Sequence, residues 1–249
     1  KIYFSPTGGT KKVADIISEG IENIFMDIDM IKKPKKLSQI NFMADDLCIF
    51  AVPSYGGRIP AVTVEIFRNL KGNGAKAVLT AVFGNRAIDD TLIELQDILE
   101  KDGFVISAGI EAVSQHSLMP AFGNGRPDEK DKKDLIDFGR KIKEKAEKGI
   151  INNVVLPGNH NYRTYNGVPF KPKANGKCNK CGICINECPA NAISKENPKI
   201  TDNDKCISCM HCVFVCPQKA RHCSKIISLV ATHKMKKLCF SRKENKLYI

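Results

Sequence analysis

Ile2-Tyr3-Phe4-Ser5-Pro6-Thr7-Gly8-Gly9-Thr10-Lys11-Lys12-Val13-Ala14 joins a short apolar run to a turn of small and hydroxyl-bearing residues and then to a helical period. Read as strand, loop and helix start, it places three hydroxyls and several free backbone N–H groups at a positive helix end. That is a cradle for an anion such as a phosphate. The same residue types make ordinary helix caps, so the stretch gains its weight from its company. Apolar runs at Ile2 to Phe4, Phe25 to Met30, Leu47 to Val52, Ala77 to Phe83 and Phe104 to Val113 predict strands. Between and after them, helical period falls at about Thr10 to Asn23, Ala61 to Leu70, Asp89 to Lys101 and Asp128 to Lys148. Five parallel strands with crossover helices make a doubly wound α/β domain over residues 1–150.

The third strand ends at Pro53-Ser54-Tyr55-Gly56-Gly57-Arg58 and the fourth at Phe83-Gly84-Asn85-Arg86. In a doubly wound sheet such loops gather with the first one at the carboxyl edge, where ligands bind. The first loop is too short for the dinucleotide fingerprint, and no G-K-[ST] phosphate loop is present. A mononucleotide with one terminal phosphate fits better than a dinucleotide or ATP. His116, Ser117 and Arg126 follow the fifth strand at the same edge, within reach of such a ligand or of a substrate. A loop histidine without a visible partner is more often structural or solvated.

The 249 residues carry 39 Lys/Arg against 27 Asp/Glu, and the excess is unevenly placed. Residues 1–150 hold 22 of each sign, so the remaining 17 and 5 put the whole +12 in the C-terminal part. Ten of the eleven cysteines lie there too. No apolar run approaches the roughly 18 residues of a membrane span, and no secretion signal is visible, so a reducing cytoplasm is expected. In that setting, repeated C-x-x-C spacing points to metal thiolates rather than disulfides.

Cys178, Cys181, Cys184 and Cys188-Pro189 are spaced C-x2-C-x2-C-x3-C-P, and Cys206, Cys209, Cys212 and Cys216-Pro217 repeat the pattern 28 residues on. Three closely spaced thiolates can hold three irons of a cubane, while the fourth cysteine reaches the other cluster. Cys178, Cys181, Cys184 and Cys216 are therefore expected to hold one [4Fe-4S] cluster, and Cys206, Cys209, Cys212 and Cys188 the second. Two zinc sites are the bland alternative, but zinc modules use separated ligand pairs. His211, between two ligands, is expected to be solvated. Cys48 reads as a small buried hydrophobe in its strand, and Cys223 and Cys239 as cover for the cluster unit.

The Pro- and Gly-rich residues 151–176 read as an extended connector, 177–223 as the cluster domain, and 224–249 as a helix ending in a basic tail. The opening stretch, Pro53 to Pro60, Gly84-Asn85-Arg86 and the two cysteine motifs together resemble the flavodoxin/ferredoxin fusion proteins of anaerobes, over nearly the whole chain. The resemblance implies a flavodoxin-like five-stranded parallel sheet of order 2-1-3-4-5, then a small α+β 2[4Fe-4S] ferredoxin-like domain and a C-terminal helix. It implies FMN, with Ser5, Thr7, Gly8, Gly9 and Thr10 on the phosphate. Pro53, Ser54, Tyr55, Gly56 and Gly57 would lie along the ring, with Tyr55 stacked on it. Phe83, Gly84, Asn85 and Arg86 would follow its pyrimidine side. Ile88 stands where many flavodoxins carry an aromatic, leaving the second ring wall to Phe83 or the connector.

The expected function is cytoplasmic electron transfer between one-electron clusters and a two-electron flavin. The alternative is an FMN-dependent reductase of a small organic acceptor (a quinone, nitro compound or enoate) fed by its own clusters. The basic C-terminal part suits docking of an acidic redox protein. It lacks the aromatic platform or recognition motif of a nucleic-acid binder.

Overall fold

The computed structural model describes residues 1–32, 37–150 and 153–249, so positions 151 and 152 of the expected connector lie outside the described residues. Strand β1 (Ile2–Tyr3) and helix α1 (Gly9–Ile21) form from the opening stretch. After them come β2 (Ile28–Asp29), β3 (Leu47–Pro53), α2 (Ala61–Phe67), β4 (Lys76–Phe83), α3 (Thr91–Lys101), β5 (Val105–Val113) and α4 (Glu129–Glu147). The cysteine-rich part holds β6 (Lys173–Ala174), α5 (Ile183–Asn186), α6 (His211–Phe214) and β7 (Arg221–His222), and α7 (Lys225–Cys239) and β8 (Lys246–Tyr248) follow.

The main sheet runs β2-β1-β3-β4-β5-β8. Its first five strands are parallel. The order 2-1-3-4-5 is the flavodoxin-like doubly wound arrangement. Strands β3 and β4 are buried almost throughout because helices cover both faces. On one face Val13 and Ile17 of α1 and Leu135 of α4 pack with Ile49, Val78 and Ile110. On the other, Phe67 of α2 and Leu92, Leu95 and Leu99 of α3 pack with Phe50 and Leu79. Helices α1 and α4 meet backbone to backbone: a Cβ on Gly20 would sit 2.1 Å from the Ile136 carbonyl oxygen, and one on Gly139 2.3 Å from that of Ile17.

The C-terminal segment departs from the expected basic tail. Lys246–Tyr248 adds a sixth strand antiparallel to β5, with Tyr248 opposite Gly109 and Lys246 opposite Glu111. Glu111 secures it, accepting from the Tyr248 hydroxyl and lying 3.5 Å from Lys246 Nζ. Asn245, also buried, accepts from the Val113 N–H at 2.9 Å and donates to Asp131.

The segment from 153 to 172 is extended but not loose. Val154 and Leu156 enter the core beside α3. The N–H groups of Asn159 and Arg163 both donate to the Asp90 carboxylate, at 2.9 and 2.8 Å. Strands β6 and β7 then pair antiparallel, closing the two ends of the cysteine unit on each other. Within that unit the left-handed residues recur with the sequence offset: Lys180 and Ser208, Gly182 and Met210, Asn191 and Lys219. The two halves thus share one backbone trace as well as one motif.

Candidate functional site

Helix α1 opens at Gly8, whose φ of +88° turns the chain into the first helical turn. The hydroxyl of Ser5 accepts from the Lys11 N–H at 2.9 Å and holds the loop closed. N–H groups in a first helical turn have no intrahelical acceptor, so Gly9 and Thr10 offer theirs outward. At the end of β3, Tyr55 and Arg58 exchange backbone hydrogen bonds of 2.8 and 3.2 Å across Gly56 and Gly57. Both glycines have positive φ, the type I′ turn geometry that glycine adopts without strain.

These loops surround a cavity of about 570 Å³, within the usual range for a small-molecule site. Of the expected residues, Thr7, Gly9, Thr10, Pro53, Ser54, Tyr55, Gly56, Phe83, Gly84 and Arg86 line it, and Ser5, Gly8, Gly57 and Asn85 do not. Asn85 is occupied elsewhere. Its amide donates to the carbonyls of Cys239 and Ser241, at 2.6 and 2.9 Å, and accepts from the Lys243 N–H at 3.0 Å. Arg126 belongs to the same joint: it pairs with fully buried Asp131 and donates to the Lys243 carbonyl at 2.6 Å. Reach toward a ligand is therefore corrected for Arg126 to a structural role.

His116 does line the cavity. Its Nδ1 accepts from the Leu118 and Met119 N–H groups, at 3.1 and 3.3 Å. Burial, then the neighbouring Arg86 charge, lower its pKa from 6.5 to about 4, so at neutral pH the proton stays on Nε2. Three further walls complete the cavity, and the last two had no sequence signal. Tyr165 of the connector lies against the Gly56 turn so closely that a Cβ there would be 2.1 Å from its ring. Helix α7 contributes Ile226, Ile227, Val230 and Lys234, and Ile207 and Ser208 enter from the cysteine unit. Ile88 is buried in the core, so the second aromatic wall comes from the connector.

The eight motif cysteines line two further cavities, in the interleaved sets that the spacing predicts. Cys178, Cys181, Cys184 and Cys216 surround one, and Cys188, Cys206, Cys209 and Cys212 the other. Among the described residues, no three His, Cys, Asp or Glu side chains converge on a single-ion position. The cavities are small, about 10 and 20 Å³. The N–H groups of Ala192 and Ala220 donate to the sulfurs of Cys188 and Cys216, both at 3.3 Å. Burial pushes the Cys209 thiol up to about 12 and that of Cys212 to about 11, so thiolates there need a cationic partner.

Arg221 supplies a second test of fit. Its guanidinium is 2% exposed and donates to the carbonyls of Pro198 and Pro172 at 2.6 and 2.9 Å, with Nη1 3.9 Å from Cys184 Sγ. Its Nε is buried with no acceptor. A cluster sulfur beside it would satisfy both the orphaned N–H and the charge. The cavities and their donors thus fit iron–sulfur clusters.

His211 overturns the expectation of a solvated loop histidine. It is 4% exposed, with Nδ1 2.7 Å from the Pro6 carbonyl and Nε2 2.9 Å from Glu187. A partner 205 residues away leaves no local sequence signal. Cys48 is buried, and burial raises its thiol to about 12, as suits an inert strand residue. Cys239 is fully buried against Met119 and Phe122, and Cys223 rests on Met210 of the cysteine unit.

Strand order and cysteine geometry define a flavodoxin-like α/β unit joined in one chain to a ferredoxin-like iron–sulfur unit. Residues 177–221 match the family model of the 4Fe-4S dicluster domain. A flavodoxin from the domain Archaea is similar at 16% identity and TM-score 0.41, over 59% of this chain and 96% of that one. The Streptococcus pneumonia TIGR4 flavodoxin gives 18% identity and TM-score 0.41, over 58% and 96%. A short-chain flavodoxin associated with a bacterial microcompartment gives 16% and 0.40, over 58% and 95%. A search of the curated proteins returned no match. The strand order carries the fold assignment.

Proposed function

We propose that this chain is an electron-transfer flavoprotein that passes single electrons through two [4Fe-4S] clusters to FMN. The observation that carries the reading is that Ile207 and Ser208, between ligands Cys206 and Cys209, form part of the wall of the flavin-sized cavity. The cluster on Cys188, Cys206, Cys209 and Cys212 is then proximal to FMN, and the one on Cys178, Cys181, Cys184 and Cys216 is distal. Tyr55 lines the cavity, and burial, then the nearby Cys209, hold its hydroxyl well above the usual 10. FMN would take its phosphate at Thr7, Gly9 and Thr10 and its ring between Tyr55, Tyr165 and the Phe83–Gly84 turn. When bound, it supplies two-electron chemistry, and each cluster supplies one electron at a time.

The distal cluster is the port for an external donor. Cys181 is exposed, and Lys177 and Lys180 beside it are exposed as well, which suits an acidic redox protein. Anaerobic purification with iron, sulfide and flavin analysis, followed by rapid mixing with dithionite, tests the reading. Eight irons and one FMN per chain, with cluster bleaching ahead of flavin bleaching, are expected. Zinc in place of iron, no flavin, or clusters that bleach while FMN stays oxidised would overturn it.

A second reading, reduction of a small organic acceptor at FMN, has one observation in its favour. The cavity continues beneath α7, where Ile226, Ile227, Val230 and Met235 give an apolar wall. Turnover of quinones, nitro compounds or enoates by the reduced holoprotein would select it over a pure carrier.

A further inference from the structure

The two cofactor regions are joined by one continuous polar chain at His211. The Pro6 carbonyl can only accept, so Nδ1 of His211 donates to it across 2.7 Å, and Nε2 lies 2.9 Å from the Glu187 carboxyl. Pro6 lies in the loop whose N–H groups face the phosphate position. Glu187 immediately precedes ligand Cys188, and His211 immediately precedes ligand Cys212. Helix α6, which carries Cys212, and Glu187, the C-cap of α5 next to Cys188, are thereby fastened to each other and to the opening loop. With the ring 4% exposed, water offers no substitute partner.

We infer that His211 and Glu187 are positioning residues that couple the flavin-phosphate loop to the proximal cluster, so that FMN binding and the potential of that cluster are linked. The inference rests on the proposed function, since it assigns no cofactor of its own. Linkage is reciprocal: if FMN shifts the cluster potential through this joint, the redox state of the cluster shifts FMN affinity by the same factor. A merely structural histidine would weaken folding without producing that reciprocity.

The test uses the anaerobically purified full chain with both clusters, as parent and as H211A, E187A and E187Q. FMN affinity is read from flavin fluorescence. The proximal-cluster potential is read from EPR-monitored titrations with and without FMN. H211A and E187A are expected to bind FMN about tenfold more weakly, the size of one hydrogen bond to a buried or charged partner. In both, the potential shift produced by FMN should shrink. E187Q keeps the contact to the ring and should stay near the parent in both readouts.

Parental affinity and an undiminished shift in H211A and E187A at full iron content would overturn the inference. If H211A loses iron, E187A decides alone, because the Glu187 side chain is 36% exposed and its truncation empties no core. A parent chain that binds neither FMN nor clusters defeats the proposed function as well. A parent that binds both while the variants behave like it defeats only the coupling.

Discussion

Of the five histidines, His116 lines the flavin-sized cavity with one nitrogen held by two backbone donors and the other protonated. Its folded value of about 4, set by burial and then by Arg86, lies below the ordinary 6.5. The unfolded chain therefore takes up a proton that the folded chain refuses. Stability from this residue is present above about pH 6.5 and is lost as pH falls toward about 4. The parent urea midpoint should fall more steeply over that window than that of His116→Asn, and parallel curves would refute the assignment. At this scale the grouping of the eight cysteines around two cavities was legible, because their spacing is local and periodic. Asn85, Arg126 and His211 were not. Their decisive partners, the carbonyls of Cys239, Lys243 and Pro6, are more than 100 residues away in sequence.

Among the elements, α1 and α4 show how little room the packing leaves. Gly139→Leu would drive a side chain into the Ile17 carbonyl. Overpacking of this kind costs about 1–3 kcal/mol, at the upper end here because backbone rather than a side chain must yield. Urea unfolding should show the loss, and an unchanged midpoint would mean that the helices separate freely. The core strands were legible because helices cover both faces, so they read as unbroken apolar runs. Strand β8 was not, since Lys246-Leu247-Tyr248 is short and begins with a charge. Glu111 across the sheet gives that lysine and tyrosine a reason to pair. The connector was legible as extended chain but not as a strap, because its anchors, Asp89 and Asp90, belong to the turn before α3.

Over the whole molecule, the +12 formal charge gathers after residue 150, and exposed lysines such as Lys177, Lys180, Lys195 and Lys199 surround the cysteine unit. On the proposed function, part of that excess would balance thiolate-bound clusters, and the remainder would steer an anionic partner. The rate of reduction by an acidic low-potential carrier should fall as salt is raised from about 20 mM toward about 500 mM, where the screening length drops from tens of ångströms to a few. Reduction by dithionite at a fixed low concentration gives the reference, and a flat dependence for the protein donor would argue against docking at this face. Beyond charge, the sixth strand changes what kind of object the cysteine unit is. Because β8 returns to β5 after α7, the cysteine unit is spliced into the flavodoxin-like unit as a loop between two of its strands. The unit is anchored on both sides, by the connector N–H groups on Asp90 and by β8 on β5, rather than hung from a single linker. On the proposed function, electrons would have to be brought to it, and a single break in the connector would leave the two units joined through β8.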